Sequence, residues 1–139
     1  MKTRIITLII VVVIVCGGGA LDTRAQEQSR LFNSDGHGKI RIGNESFKVS
    51  SVIVKLIDDH QVEVTLISEI TIFLKGTWSD STEKPRDITL EITGGASAGG
   101  LEAKGHLTIA DDDKSIVMLI ISGQSRRTKR VVGVDFKGN

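Results

Sequence analysis

From Lys39 to the C-terminus the chain alternates apolar and polar side chains with a period of two, the pattern of half-buried strands. Ile40 and Ile42 alternate with Lys39 and Arg41, and Gly43-Asn44 then supplies a two-residue hairpin turn of the primed type. In the next run Phe47 and Val49 are followed by Val52, Val54 and Leu56, so parity slips by one across Ser50-Ser51 and predicts a β-bulge. Asp58-Asp59-His60 reads as a turn. Val62, Val64, Leu66, Ile70, Ile72, Leu74, Gly76 and Trp78 then share one parity. A two-residue turn at Ser68-Glu69 would put Leu66 and Thr71 on one face, so either one long bent strand or a turn with an odd number of residues is expected.

Past the polar loop Ser79–Pro85, Ile88, Leu90 and Ile92 face one way and Asp87, Thr89 and Glu91 the other. Gly94–Gly100 is a flexible loop. Leu101, Ala103, Gly105, Leu107 and Ile109 alternate with Glu102, Lys104, His106 and Thr108 until Asp111-Asp112-Asp113 turns the chain. Ile116–Ile121 is apolar on both parities and reads as a strand covered on both faces. The last strand sends Val132, Val134 and Phe136 inward. Connections this short join antiparallel neighbours, because a parallel crossover needs a dozen residues or more. The fold class is therefore all-β and antiparallel: a seven- or eight-stranded up-and-down barrel or two-sheet sandwich, the barrel slightly favoured. Gln26–Gly38 has neither period and is expected to be a flexible leader, with Leu31 and Phe32 as a docking point.

The N-terminus has a different pattern. Lys2 and Arg4 precede an apolar run, Ile5–Val15, broken only by Thr7, the length of a signal-peptide core and short of the roughly 20 residues of a spanning helix. Residues 1–25 are expected to be a signal peptide, with cleavage after Ala25 or, less well matched, after Ala20. "VIVC" resembles the lipobox of bacterial lipoproteins, which would make Cys16 the acylated N-terminal residue. Val15 stands where that family has Gly, Ala or Ser. The domain plan is thus signal peptide 1–25, leader 26–38 and one antiparallel β domain 39–139.

Composition narrows the role. Loss of Lys2, Arg4, Arg24 and Asp22 turns 18 basic and 17 acidic residues into 15 and 16, a balance that steers toward neither nucleic acid nor membrane. Membrane association is expected only through a lipidated Cys16 or an uncleaved signal. Cys16 is the one cysteine, so the exported domain has no disulfide, which fits a bacterial periplasm or secretion of an unstapled domain. Four Phe, one Trp and no Tyr argue against an aromatic platform for sugars or single strands.

Catalytic chemistry finds little support. His37, His60 and His106 are scattered, no serine lies in a Gly-x-Ser-x-Gly elbow, and Asp87 and Glu91 sit about 13 Å apart along a strand, too far for paired carboxylates. Asp111-Asp112-Asp113 lacks the alternating ligands and bidentate Glu of a calcium loop and reads as a solvated turn. "GQSRRTKR" (Gly123–Arg130) is the one dense charge run; Arg126, Arg127 and Arg130 form a candidate partner-binding rim for an anion or acidic partner. Chain direction places that rim with the glycine loop, at the end of the sheet opposite Trp78.

"KGTWS" (Lys75–Ser79) resembles the Gly-x-Trp signature of lipocalin-like (calycin) barrels. That resemblance, carried by Gly76, Thr77 and Trp78, implies a barrel plugged at one end by Trp78 and enclosing a small apolar ligand. The family places the motif on its first strand, whereas here some forty residues of strand pattern precede it. The residues themselves read Trp78 as a core aromatic beside a glycine that makes room for it. The expectation is an exported, non-catalytic β domain, partner-binding or structural in the cell envelope, with no cofactor or metal. Its partner would be an unidentified protein or a small anionic or apolar ligand, and not nucleic acid. A lipocalin-like ligand barrel is the alternative, and an enzyme of unknown class the second.

Overall fold

A computed structural model describes residues 29–95 and 100–139, with Asp59 described by its backbone alone. The expected signal peptide, Cys16, the first leader residues and the centre of the glycine loop lie outside the described residues. Eight strands run through the described chain: β1 (Ser29–Ile42), β2 (Glu45–Ile57), β3 (Gln61–Ile67), β4 (Thr71–Asp80), β5 (Asp87–Gly95), β6 (Gly100–Ile109), β7 (Ile116–Ser125) and β8 (Val131–Gly138). Each pairs antiparallel with its sequence neighbours, and β1 pairs with β8, so the sheet closes into an up-and-down barrel.

Alternation does the folding. Inward positions carry a single apolar cluster running from Phe32 to Phe136, so the barrel contains its own core. Outward positions carry Lys, Glu, Thr and His, the reverse of a lipid-spanning barrel, whose outer band is apolar. Four connections lie at one end of the barrel and three at the other. The Gly43-Asn44 hairpin has positive φ at Gly43 alone (61°), the arrangement in which the first central residue is a glycine. Between β3 and β4 the turn is Ser68-Glu69-Ile70, an odd count, so Leu66 faces Ile72 and both point inward. Ile70, grouped by parity with the core, sits in that turn and is exposed.

Two expectations are corrected. The first concerns the leader, which joins the sheet from Ser29 onward. Its inward positions are Phe32, Ser34, Gly36 and Gly38, and three small residues among four hide the apolar alternation. Smallness is required there, because a Cβ on Gly38 would strike the Asp135 carbonyl and stand 2.7 Å from the Phe136 Cα. The second concerns Ile116–Ile121, which is covered on one face only. Ile116, Leu119 and Ile121 are buried, while Val117, Met118 and Ile120 face outward.

Register irregularities bend the strands enough to close the barrel. β1 and β2 shift between Asp35 and Gly38, placing Gly36 and His37 opposite Ser50, where the parity slip at Ser50-Ser51 predicted a bulge. A second shift lies between Lys75 and Gly76, where β5 approaches so closely that a Cβ on Gly76 would run into the Glu91 carbonyl. Gly133 differs: a Cβ there would find one atom, the Ile121 oxygen, at 3.8 Å. Gly76→Ala should therefore cost about 3 kcal/mol or more through overpacking of backbone against backbone, while Gly133→Ala should change stability by less than about 1 kcal/mol. Urea unfolding of the two variants checks the contrast, and equal losses would mean that close strand approach is not what Gly76 provides.

Candidate functional site

The expected rim does not converge. β7 and β8 are joined by a turn whose Lys129 takes φ 57°, and the buried Ser125 Oγ accepts from the Thr128 N–H at 3.3 Å. β8 starts at Val131, so Thr128 and Arg130 stay out of the interior. Arg126 leans to one side, over Gly100 of β6, with its Nε 3.8 Å from Glu102 Oε1. Arg130 leans to the other, against Gly43 in the β1–β2 turn. Arg127 is exposed between them. Three guanidinium groups directed to different neighbours make no common fork.

At the opposite end the polar residues are occupied with one another. Arg86, at φ 84°, donates to the Ala110 carbonyl at 2.7 Å and meets Asp111 at 3.4 Å and Asp113 at 3.3 Å, tying the β4–β5 and β6–β7 loops together. The Asp112 carboxylate accepts from the Ser115 hydroxyl at 2.5 Å and from the Lys114 and Ser115 amides at 2.8 Å each. These bonds hold its pKa down at about 2, against an ordinary 3.8, the Ser115 hydroxyl contributing most. Among the described residues no group of three His, Cys, Asp or Glu is arranged to hold a metal ion. Trp78 is half-buried, packs on the core from this end, and donates its indole N–H to the Ile57 carbonyl at 3.0 Å. His60 packs against it with the two rings tilted at 51° and their centroids 5.4 Å apart.

The candidate site lies on the outer wall, where β8, β1 and β2 run side by side. The groove, open and about 910 Å³ in volume, is floored by the backbone of Gly36 and Gly38 and by Val49, beside the β1–β2 bulge. His37 and Lys39 project into it from β1, Ser46, Lys48 and Ser50 from β2, and Asp135 and Lys137 from β8. Register places Lys39 directly opposite Lys48 on one side and Asp135 on the other, with His37 opposite Lys137. Like charges facing each other across a strand pair are destabilising. Elsewhere the wall alternates in sign, as in Lys55–Glu63–Lys75 across β2, β3 and β4 and Glu91–Lys104 across β5 and β6. Among the described residues Lys39, Lys48 and Lys137 enter no salt bridge. The groove therefore carries three lysines against one carboxylate, Asp135, with Lys39 and Lys48 directly opposed.

Sequence reasoning passed over this groove because His37 fell in the expected leader and the lysines looked like ordinary outward residues. One signal was present. Lys39 lies four residues before Gly43 and Lys48 four after Asn44, so a two-residue turn must set them face to face.

No family model, curated protein or solved structure matches the chain. The Asp112 turn offers a direct check of the electrostatics described here. A group whose pKa is lower in the folded state favours folding above its unfolded pKa, and that contribution is lost as pH falls through about 2. Side-chain carboxyl NMR should give Asp112 a midpoint near 2, and Ser115→Ala should move it up toward 3.8. A midpoint near 3.8 in the unaltered chain would mean the turn is open in solution.

Proposed function

We propose that this chain is an exported, non-catalytic binding domain whose ligand is anionic and seats on the groove of Lys39, Lys48 and Lys137. The observation that carries this reading is the Lys39–Lys48 pair, opposed across β1 and β2, in a groove of three lysines and one carboxylate, Asp135. A fold optimised for stability alone gains nothing from that arrangement, whereas a bound anion removes the repulsion and gains charge-assisted hydrogen bonds. His37 and Ser46 and Ser50 add donors around the same floor. A nucleophile, its base and an oxyanion site do not come together there, so the chemistry supported is recognition and not turnover.

Nitrogen-15 NMR titration with a short inorganic polyphosphate tests the reading. Shifts should concentrate at His37, Lys39, Lys48 and Lys137, and the affinity should fall as salt rises. Lys39→Ser combined with Lys48→Ser should weaken binding at least about tenfold while stability holds or rises by about 0.2 to 1 kcal/mol, since a repulsive pair is removed. Shifts gathered instead at Arg126, Arg127 and Arg130 would return the site to the rim. Unchanged affinity in the double variant would refute the groove.

A further inference from the structure

We infer that the anion is borne by an extended acidic segment of another polypeptide, which adds as a strand along the free edge of β2 beside the groove. The inference rests on the proposed groove and names what carries its ligand's charge. Apart from the bulge, β2 pairs with β1 from end to end, but β3 covers only Ser51–Ile57, so Glu45–Ser50 has a strand on one side alone. Among the described residues no turn or loop backbone bond reaches that stretch. The Gly43 amide donates to the Val131 carbonyl, which sets the odd-numbered residues at this end of β1 toward β8 and Ile40 and Ile42 toward β2. Phe47 and Glu45 are the partners of Ile40 and Ile42 and use their amides and carbonyls on β1, so Ser46 and Lys48 turn theirs to the open side. The edge ends at Ser50, whose hydroxyl donates at 3.2 Å to the carbonyl of Ile67, the last residue of β3.

The covered half of the same edge shows which chemistry suits the open half. Lys55, outward on β2, meets Glu63 of β3 directly across the strand pair. Lys48 is outward in the same way, and its cross-strand neighbour is Lys39 of β1. A strand bonded to Ser46 and Lys48 sets a side chain beside each of them, about 5 Å away, and a carboxylate there answers Lys48 and relieves its repulsion from Lys39. Arg41, opposite Ser46, continues the positive row. The alternate side chains of the added strand face the other way, toward half-buried Phe47 and buried Val49, which favours apolar residues there. The partner is therefore an extended segment that alternates carboxylate and apolar residues. A second copy of this chain suits the edge less, because two such edges side by side bring the lysines of both copies together. A soluble polyanion answers the lysines and leaves the amides and carbonyls of Ser46 and Lys48 to water.

A blocked peptide of about seven residues alternating Glu and Val, long enough to span the edge, tests the inference by NMR on the nitrogen-15-labelled protein. At about ten times its Kd the peptide should slow hydrogen exchange of the Ser46 and Lys48 amides about tenfold, whereas polyphosphate at the same saturation should leave both near their free rate. Replacing each Glu of the peptide by Gln should weaken it at least about tenfold. N-methylation of the Glu amides, which face β2 in an antiparallel pair, should abolish binding, and N-methylation of the Val amides, which face away, should not. Lys39→Ser with Lys48→Ser should weaken peptide and polyphosphate together. If the peptide shifts the groove residues while the Ser46 and Lys48 amides exchange as before, the added strand is overturned and the anion site stands. Protection of those amides that grows with protein concentration alone would assign the edge to a second copy and overturn the acidic partner. If the lysine variant binds both ligands as the unaltered chain does, both readings fall.

Discussion

Closure between β1 and β8 is the contact on which the rest of this barrel depends. A sheet of seven or eight strands left open would expose two edges of unpaired amides, and this chain carries no α-helix among its described residues to cover them. The seam is built from small residues: Gly36 faces Gly138, and Gly38 faces Phe136. The Phe136 ring fills space that side chains on the two β1 glycines would otherwise take, an aromatic laid across a glycine pair. The groove lies on the outside of this seam, along β8, β1 and β2.

The charge on that groove does not follow from closure. Serine or threonine at 39 and 48 would keep the alternation and the register, with no repulsion across the strand pair. The surrounding wall demonstrates the alternative, since its charged rows alternate in sign from strand to strand. That one pair departs from a rule its neighbours follow is the ground on which the anion site is proposed.

Strand identity, hairpin order and the direction of inward faces were legible in the sequence because a period of two survives wherever inward residues are large. Ile88, Leu90 and Ile92, or Val132, Val134 and Phe136, announce their face without help from the fold. β1 was illegible where it matters most, for its inward set of Ser34, Gly36 and Gly38 matches a turn-rich linker until β8 is known to need the room. Ile116–Ile121 misled in the opposite sense. An unbroken apolar run fits a strand buried on both faces as well as one whose outer face is apolar and exposed. The rim arginines were correctly placed at the end away from Trp78, yet their divergence toward Gly100 and Gly43 depends on a turn geometry set by Lys129, which composition does not reveal.

Both ends of the barrel are taken up by structural contacts, whereas the proposed anion site lies on the wall. At one end Arg86 and the Asp111–Asp113 loop satisfy each other, and Trp78 closes against the Ile57 carbonyl beside His60. At the other, the β7–β8 turn is folded on Ser125 and its arginines lie against neighbouring strands. Polar groups already paired have little interaction energy left for a ligand, since any new bond must first replace an old one. The lysines along the seam carry no such commitment among the described residues. Their position on paired strands also holds their backbone in place, so an anion seated there meets charges already assembled and leaves less ordering to be supplied by binding.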